Sequence, residues 1–185
     1  MSKTQENLLK AVAGESLARN KYSFFAIRAR DEGYEGIARI FEETSGNEME
    51  HAERELEFVE NGAKTTTEVA VNPVSTTVEN LKEAIAGEDH ETSTMYPSFK
   101  DIAREEKLDE IADVFKEIGE VEEKHRDRYK EILAHVEAGT VFKRDKEIEW
   151  KCLNCGYIHK GTEAPEKCPT CAKPQAWYEP RSFNW

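Results

Sequence analysis

The chain has 185 residues, 35% of them charged and 38% hydrophobic, with a net charge of −12. That length allows one medium domain and a small appendage, and the acidity excludes nucleic acid and anionic membranes as partners, because nothing offsets phosphate repulsion. The opening "MSKTQENLLK" is too polar for a secretory signal, and no run approaches the roughly 20 apolar residues of a membrane span, so the expected compartment is the cytoplasm.

Helical periodicity predicts a first helix over 4–30, with Leu8, Val12, Glu15, Ala18, Tyr22 and Phe25 on one face. A short "DEGYE" turn leads to a second over 35–60, whose face holds Ile37, Phe41, Thr44, Glu48, His51 and Phe58. So short a turn makes the two antiparallel neighbours. The stretch "GAKTTTEVAVNPVSTT" is too long for a turn and suits a crossover along a bundle. A third helix starts near Val78 and aligns Leu81, Ile85, Glu88, Glu91 and Met95. Pro97 cannot donate to the carbonyl of Ser93, which predicts a kink or break. A fourth helix over 107–138 carries Ile111, Phe115, Ile118, Glu122, His125, Tyr129, Ile132 and Val136, and Gly139 stops it. The expected fold is mainly α: a four-helix bundle with a long crossover over 1–145, and a small second domain over 146–185. All four cysteines and all three tryptophans fall in that second part.

Each apolar stripe is interrupted by a glutamate: Glu15, Glu48, Glu88 and Glu122. In so acidic a chain most glutamates line solvated faces, and one Glu-x-x-His is weak evidence of a ligand pair. Register is stronger. Glu15 to Glu48 is 33 residues and Glu88 to Glu122 is 34, while Glu15 to Glu88 is 73 and Glu48 to Glu122 is 74. The chain reads as two copies of one helical hairpin. His51 and His125 follow Glu48 and Glu122 at i+3, on the same face. Four carboxylates buried together would each cost several kcal/mol or take up protons. Two divalent cations cancel that charge, in the pattern of di-iron carboxylate bundles, and oxygen with imidazole suits iron or manganese.

Glu91 breaks the repeat, because its counterpart three residues past Glu15 is Ala18. A fifth carboxylate suits the oxidised metal pair, whereas neutral His51 suits the reduced one. The hydroxyl of Tyr22, two turns past Glu15, is placed to bond a ligand carboxylate, although an ordinary core tyrosine fits equally. Tyr96 is a second candidate of this kind. His90 and His135 are expected to face solvent.

"CLNCGYIHKGTEAPEKCPTC" sets Cys152, Cys155, Cys168 and Cys171 in two CxxC knuckles. The spacing implies a tetrahedral thiolate cage, which zinc or iron would fill. Disulfides are the poorer reading in a cytosolic chain. Tyr157, Trp177, Tyr178, Phe183 and Trp185 supply an aromatic shell, and the metal must add folding energy to so small a core.

Taken together, Glu15, "EMEH" at 48–51, "GEDHETSTMYP" at 87–97, "EVEEKH" at 120–125 and the two knuckles resemble the rubrerythrin family over nearly the whole chain. The resemblance implies a ferritin-like bundle with a non-haem di-iron centre and a rubredoxin-like domain holding one iron. It implies reduction of hydrogen peroxide to water in oxidative-stress defence. Electrons would come from NAD(P)H through a separate reductase or from rubredoxin. It also implies a glutamate–histidine exchange, whose positions Glu91 and His51 match. Leu153 and Ala172 depart from rubredoxins, where proline and glycine are usual. The 17 residues from Glu122 to Gly139 span about 25 Å of helix, which points to a head-to-tail homodimer that brings one chain's thiolate iron to the other's di-iron site. The rival readings are an iron-oxidising, iron-handling ferritin-like protein and a zinc-ribbon binding module.

Overall fold

The computed structural model describes residues 1–182; Phe183 and Trp185 of the expected aromatic shell lie outside them. Helix α1 spans Lys3–Asp31, α2 Glu35–Leu56, α3 Thr77–His90, α4 Tyr96–Glu105 and α5 Asp109–Glu137, with a π-helical turn at Glu91–Met95. Since α3, the π turn and α4 run on without a break, four rods form the bundle and the long crossover joins its two hairpins.

Capping explains several boundaries. Ser2 Oγ accepts from Gln5 N (3.2 Å) and Thr76 Oγ1 from Glu79 N (3.3 Å), satisfying amides at the starts of α1 and α3. The hairpin turns share one backbone solution. Gly33 (φ +86°) and Lys107 (φ +61°) are both left-handed, and Tyr34 N and Leu108 N reach back to the carbonyls of Ala29 (2.8 Å) and Ala103 (2.9 Å). Helix α2 ends at Leu56, four residues before the expected Glu60. The cause is distant in sequence: buried Gln5 donates through Nε2 to Phe58 O (2.8 Å) and accepts from Glu60 N (2.9 Å). On α1, Ala11 rather than Val12 is fully buried.

The interruption at Pro97 takes the form of a widened turn. The N–H of Tyr96 bonds the carbonyl of Glu91, five residues back, so the helix continues with one residue more per turn. Proline is then tolerated in the first turn of α4. This accounts for the mismatch between 73 and 74. Leu8/Leu81 and Glu15/Glu88 are 73 apart, whereas Tyr22/Tyr96, Phe41/Phe115 and His51/His125 are 74 apart. The extra residue lies between Glu88 and Tyr96, where the π turn is.

Two apolar clusters flank the centre of the bundle. One contains Tyr22, Phe25, Ile37, Phe41, Leu81 and Tyr129; the other contains Leu8, Tyr96, Ile111, Phe115 and Ile118. Beyond α5, strands β1 (Lys143–Cys152), β2 (Ile158–Glu163) and β3 (Tyr178–Pro180) form an antiparallel sheet of order β2-β1-β3. Trp150, Cys152, Ala164, Cys168 and Tyr178 are its core. The unit turns back onto the bundle: Phe142 stacks on Tyr34 at 6.2 Å, and the Arg39 guanidinium donates to Leu153 O (3.3 Å). Among the described residues no helix is long and apolar enough to cross a membrane.

Candidate metal centre

Between the two apolar clusters, four rods bring their interrupting residues to one level. Glu15 comes from α1, Glu48 and His51 from α2, Glu88 from α3, and Glu122 and His125 from α5. They form two groups: Glu15, Glu48, His51 and Glu122, and Glu48, Glu88, Glu122 and His125. Within each, one donor atom per residue lies within 4.8 Å of all the others. Glu48 and Glu122 belong to both. All four carboxylates are at most 1% exposed.

The donors aim at common points rather than at one another. His51 Nδ1 lies 3.0 Å from Glu48 Oε2, 2.8 Å from Glu122 Oε1 and 3.8 Å from Glu15 Oε2. His125 Nδ1 lies 2.7 Å from Glu122 Oε2, 3.4 Å from Glu48 Oε1 and 3.9 Å from Glu88 Oε2. Close as these atoms are, most are not aligned for hydrogen bonds. Glu15 Oε2, Glu48 Oε1, Glu88 Oε2, both oxygens of Glu122 and His125 Nδ1 have no hydrogen-bond partner. Buried polar atoms seldom stay unpaired, and a cation in each group would give every one of them a partner. The donor set therefore fits a pair of metal ions.

Electrostatics agree. Burial, with the neighbouring Glu48 carboxylate, raises Glu15 to about 7, although His51 opposes this. Burial and the carboxylates of Glu122, Glu48 and Glu91 push Glu88 up to about 12. Burial alone would lower His125, but Glu122 and Glu48 outweigh it and hold the ring up at about 9; His51 is raised further by Glu122, Glu15 and Glu48. Without cations, protons occupy the centre.

Tyrosines cross-link the two hairpins here. Tyr22 Oη donates to Glu88 Oε1 (2.6 Å), and Tyr96 Oη donates to Glu15 Oε1. Each holds one oxygen of the other hairpin's glutamate and leaves the second oxygen facing the centre. Glu91 belongs to neither group. The residue lines a cavity of about 500 Å³ between α1 and the α3–α4 rod, beside Tyr22 and Met95 and under crossover residues 67–70. It is half-buried, and burial together with Glu15, Glu122 and Glu48 raises its carboxyl well above the usual range. His90 is exposed, and His135 pairs with Thr140 (2.9 Å), away from the centre. Sequence reasoning missed Glu55, which is fully buried and lies 3.1 Å from Tyr96 Oη. Its signal was its place seven residues after Glu48, on the same helical face.

The cysteine sulfurs lie 3.7 Å apart in Cys152/Cys171 and 3.6 Å apart in Cys155/Cys168. All four are free thiols. A tetrahedron with metal–sulfur bonds of about 2.3 Å has edges of about 3.8 Å, so the cage matches one bound metal. The two knuckles mirror each other: Gly156 N bonds Cys152 O and Ala172 N bonds Cys168 O, both at 2.9 Å. Leu153 N donates to Trp177 O (2.8 Å), a bond that proline could not make. Ala172 is left-handed (φ +60°), as its counterpart Gly156 is (φ +78°). Ala172→Gly should therefore stabilise this unit by about 1 kcal/mol, read as a higher denaturant midpoint for loss of the thiolate–metal absorption.

Two donor groups that share two glutamates inside a four-helix bundle, joined to a four-thiolate cage, define the class of non-haem iron proteins. The family model Rubrerythrin matches residues 6–133, and the model of its rubredoxin-like domain matches residues 150–179. The chain is 49% identical to rubrerythrin of Porphyromonas gingivalis, covering 100% of this chain and 92% of the relative. Against rubrerythrin of Nitratidesulfovibrio vulgaris the identity is 44%, over 100% and 97%. A solved structure of nigerythrin in a mixed-valence state superposes with a TM-score of 0.67 at 38% identity, covering 98% of this chain and 88% of that one. The chain belongs to the rubrerythrin family. Its cofactors are a non-haem di-iron centre, which the glutamate–histidine groups fit, and one iron in a rubredoxin-type site of four cysteines.

Proposed function

We propose that this protein is a cytoplasmic peroxidase that reduces hydrogen peroxide to water, taking electrons from rubredoxin or an NAD(P)H-dependent reductase through its four-cysteine iron. The balance is one peroxide, two electrons and two protons to two waters. The observation that carries the reading is the pair of donor groups sharing Glu48 and Glu122, beside a cavity lined by an uncommitted carboxylate. When bound, the two irons supply the two electrons and hold the substrate.

The chain's own residues do the rest. Glu48 and Glu122, common to both donor groups, would be shared by the two metals, Glu15 and Glu88 would each serve one, and His51 and His125 would add neutral nitrogen. Tyr22 and Tyr96 fix the terminal carboxylates by taking one oxygen of each. The cavity is large enough for a small polar molecule, and Glu91 on its wall would answer the charge of an oxidised centre while neutral His51 would suit a reduced one. Glu91→Ala should keep both irons and slow the return from oxidised to reduced protein. Unchanged turnover would remove Glu91 from the cycle.

Electron entry argues for two chains. Leu153, beside Cys152, packs near Gly36, which is 12 residues before Glu48, or about 18 Å along α2. We assign the bundle to residues 1–145 and the electron-entry unit to 146–185, and place one chain's unit beside the partner's centre in a head-to-tail homodimer. The test is peroxide consumption by iron-loaded protein with reduced rubredoxin. Rapid turnover without mineral supports the peroxidase; ferric mineral without turnover supports the iron-handling alternative.

A further inference from the structure

Glu55 is not among the converging donors, yet it is as deeply buried as they are. It sits on α2, four residues past His51, whose positive charge when protonated would favour ionised Glu55. Tyr96 on α4 contacts it, and the charges of Glu15 on α1, Glu122 on α5 and Glu91 in the π turn oppose its ionisation. Neither Lys nor Arg pairs with it, and its Oε2 has no hydrogen-bond partner. Its one polar contact is Tyr96 Oη, 3.1 Å from Oε1, and that same hydroxyl donates to Glu15 Oε1.

A tyrosine hydroxyl has one proton to give. If Tyr96 spends it on Glu15, the contact with Glu55 is attractive only when Glu55 brings a proton of its own. An ionised Glu55 would set lone pair against lone pair and would leave a buried charge unpaired. The charge of the iron-loaded centre leads to the same result. Two ferrous ions are neutralised by Glu15, Glu48, Glu88 and Glu122, so an ionised Glu55 would be in surplus.

We infer that Glu55 is a neutral carboxylic acid that donates to Tyr96 and so fixes Tyr96 as the donor to Glu15, ordering the chain Glu55→Tyr96→Glu15. Burial, then the Glu15 charge, hold the Glu55 carboxyl well above the usual carboxylate range, which agrees. Glu55 is thus a positioning residue that acts through Tyr96. The inference rests on Glu15 being an iron ligand, and not on peroxide being the substrate.

Infrared spectroscopy of the iron-loaded protein tests it. Iron ionises the ligand carboxyls, so, in a Glu91→Ala background that removes the other raised carboxyl outside the donor groups, a neutral-acid carbonyl band that survives loading and shifts in heavy water reports Glu55. The band should vanish in Glu55→Gln and move to higher frequency in Tyr96→Phe, which removes its acceptor. Glu55→Leu should lower iron affinity about tenfold, and Glu55→Gln, whose amide still donates to Tyr96, should recover most of that loss. No acid band in the loaded Glu91→Ala protein, or a band that persists there when Glu55→Gln is added, overturns the inference. That band, with a wild type that does not turn over peroxide, overturns the peroxidase reading and leaves the role of Glu55 standing.

Discussion

Raising the pH from about 4.5 to 9 should destabilise the metal-free protein while strengthening its hold on metal. The sign follows from which state binds more protons. Unfolded, Glu15 titrates near its ordinary value of 4.5; folded, it titrates at about 7. Between those values the folded chain holds a proton that the unfolded chain has lost, so the free energy of unfolding falls as pH rises. A shift of that size amounts to about 3 kcal/mol, lost by the time the pH reaches the folded value. His125, raised from 6.5 to about 9, acts in the same direction: its contribution is full below 6.5 and gone as pH passes through 9. Glu88, raised to about 12, adds to the slope over the same range. For a chain of this size the Glu15 share alone corresponds to about 10 °C in Tm. Metal ions compete with those protons for the same atoms, so affinity climbs as pH rises. Thermal unfolding of chelator-treated and iron-loaded protein across that range checks both halves. A metal-free protein whose Tm rose with pH would overturn the account.

Glu122→Gln should abolish loading of both metals and leave the metal-free fold intact. Glu122 is shared by both donor groups, and neither of its oxygens has a hydrogen-bond partner. The amide keeps the shape of the side chain but removes a negative charge from a crowded set. Losing a residue that only orients a ligand typically costs 10–100-fold in affinity, so losing a shared ligand should cost at least about 100-fold at each metal. Without metal, the change removes a repulsive partner of Glu88 but also the attractive partner of His51 and His125, so the variant should still unfold cooperatively near the Tm of the metal-free wild type. Iron per chain after reconstitution, with Tm before and after, reads both effects. Two irons bound to Glu122→Gln would overturn the shared role.

Much of this centre was legible in the sequence because it is written at helical spacing. Four glutamates at matched depth in two hairpins, and a histidine one turn after two of them, could be placed on one face by counting. What could not be counted depends on distant partners. The early end of α2 is set by Gln5, more than fifty residues away. Glu55 looked like one more charge on a solvated face, since only packing from α1 and α4 buries it. The docking of the four-cysteine unit depends on Arg39 meeting the backbone of Leu153, and no local pattern announces that. The π turn was visible as the interruption expected at Pro97 and as the difference between 73 and 74, but only the backbone shows that it is a widened turn and not a kink.

The crossed tyrosines carry a consequence for ancestry. Each hairpin supplies one glutamate found in a single donor group, one glutamate common to both, one histidine and one tyrosine, and its tyrosine bonds the other hairpin's glutamate. A lone hairpin therefore has half a metal site and a hydroxyl with nothing to hold. The smallest ancestor able to cradle this metal pair is two hairpins side by side, and the present bundle is that pair tied by a strap. While the halves were identical, the two metals had identical surroundings. The copies differ here in two ways: the second has one residue more at the π turn, and it has Glu91 where the first has Ala18, a carboxylate that only one half owns.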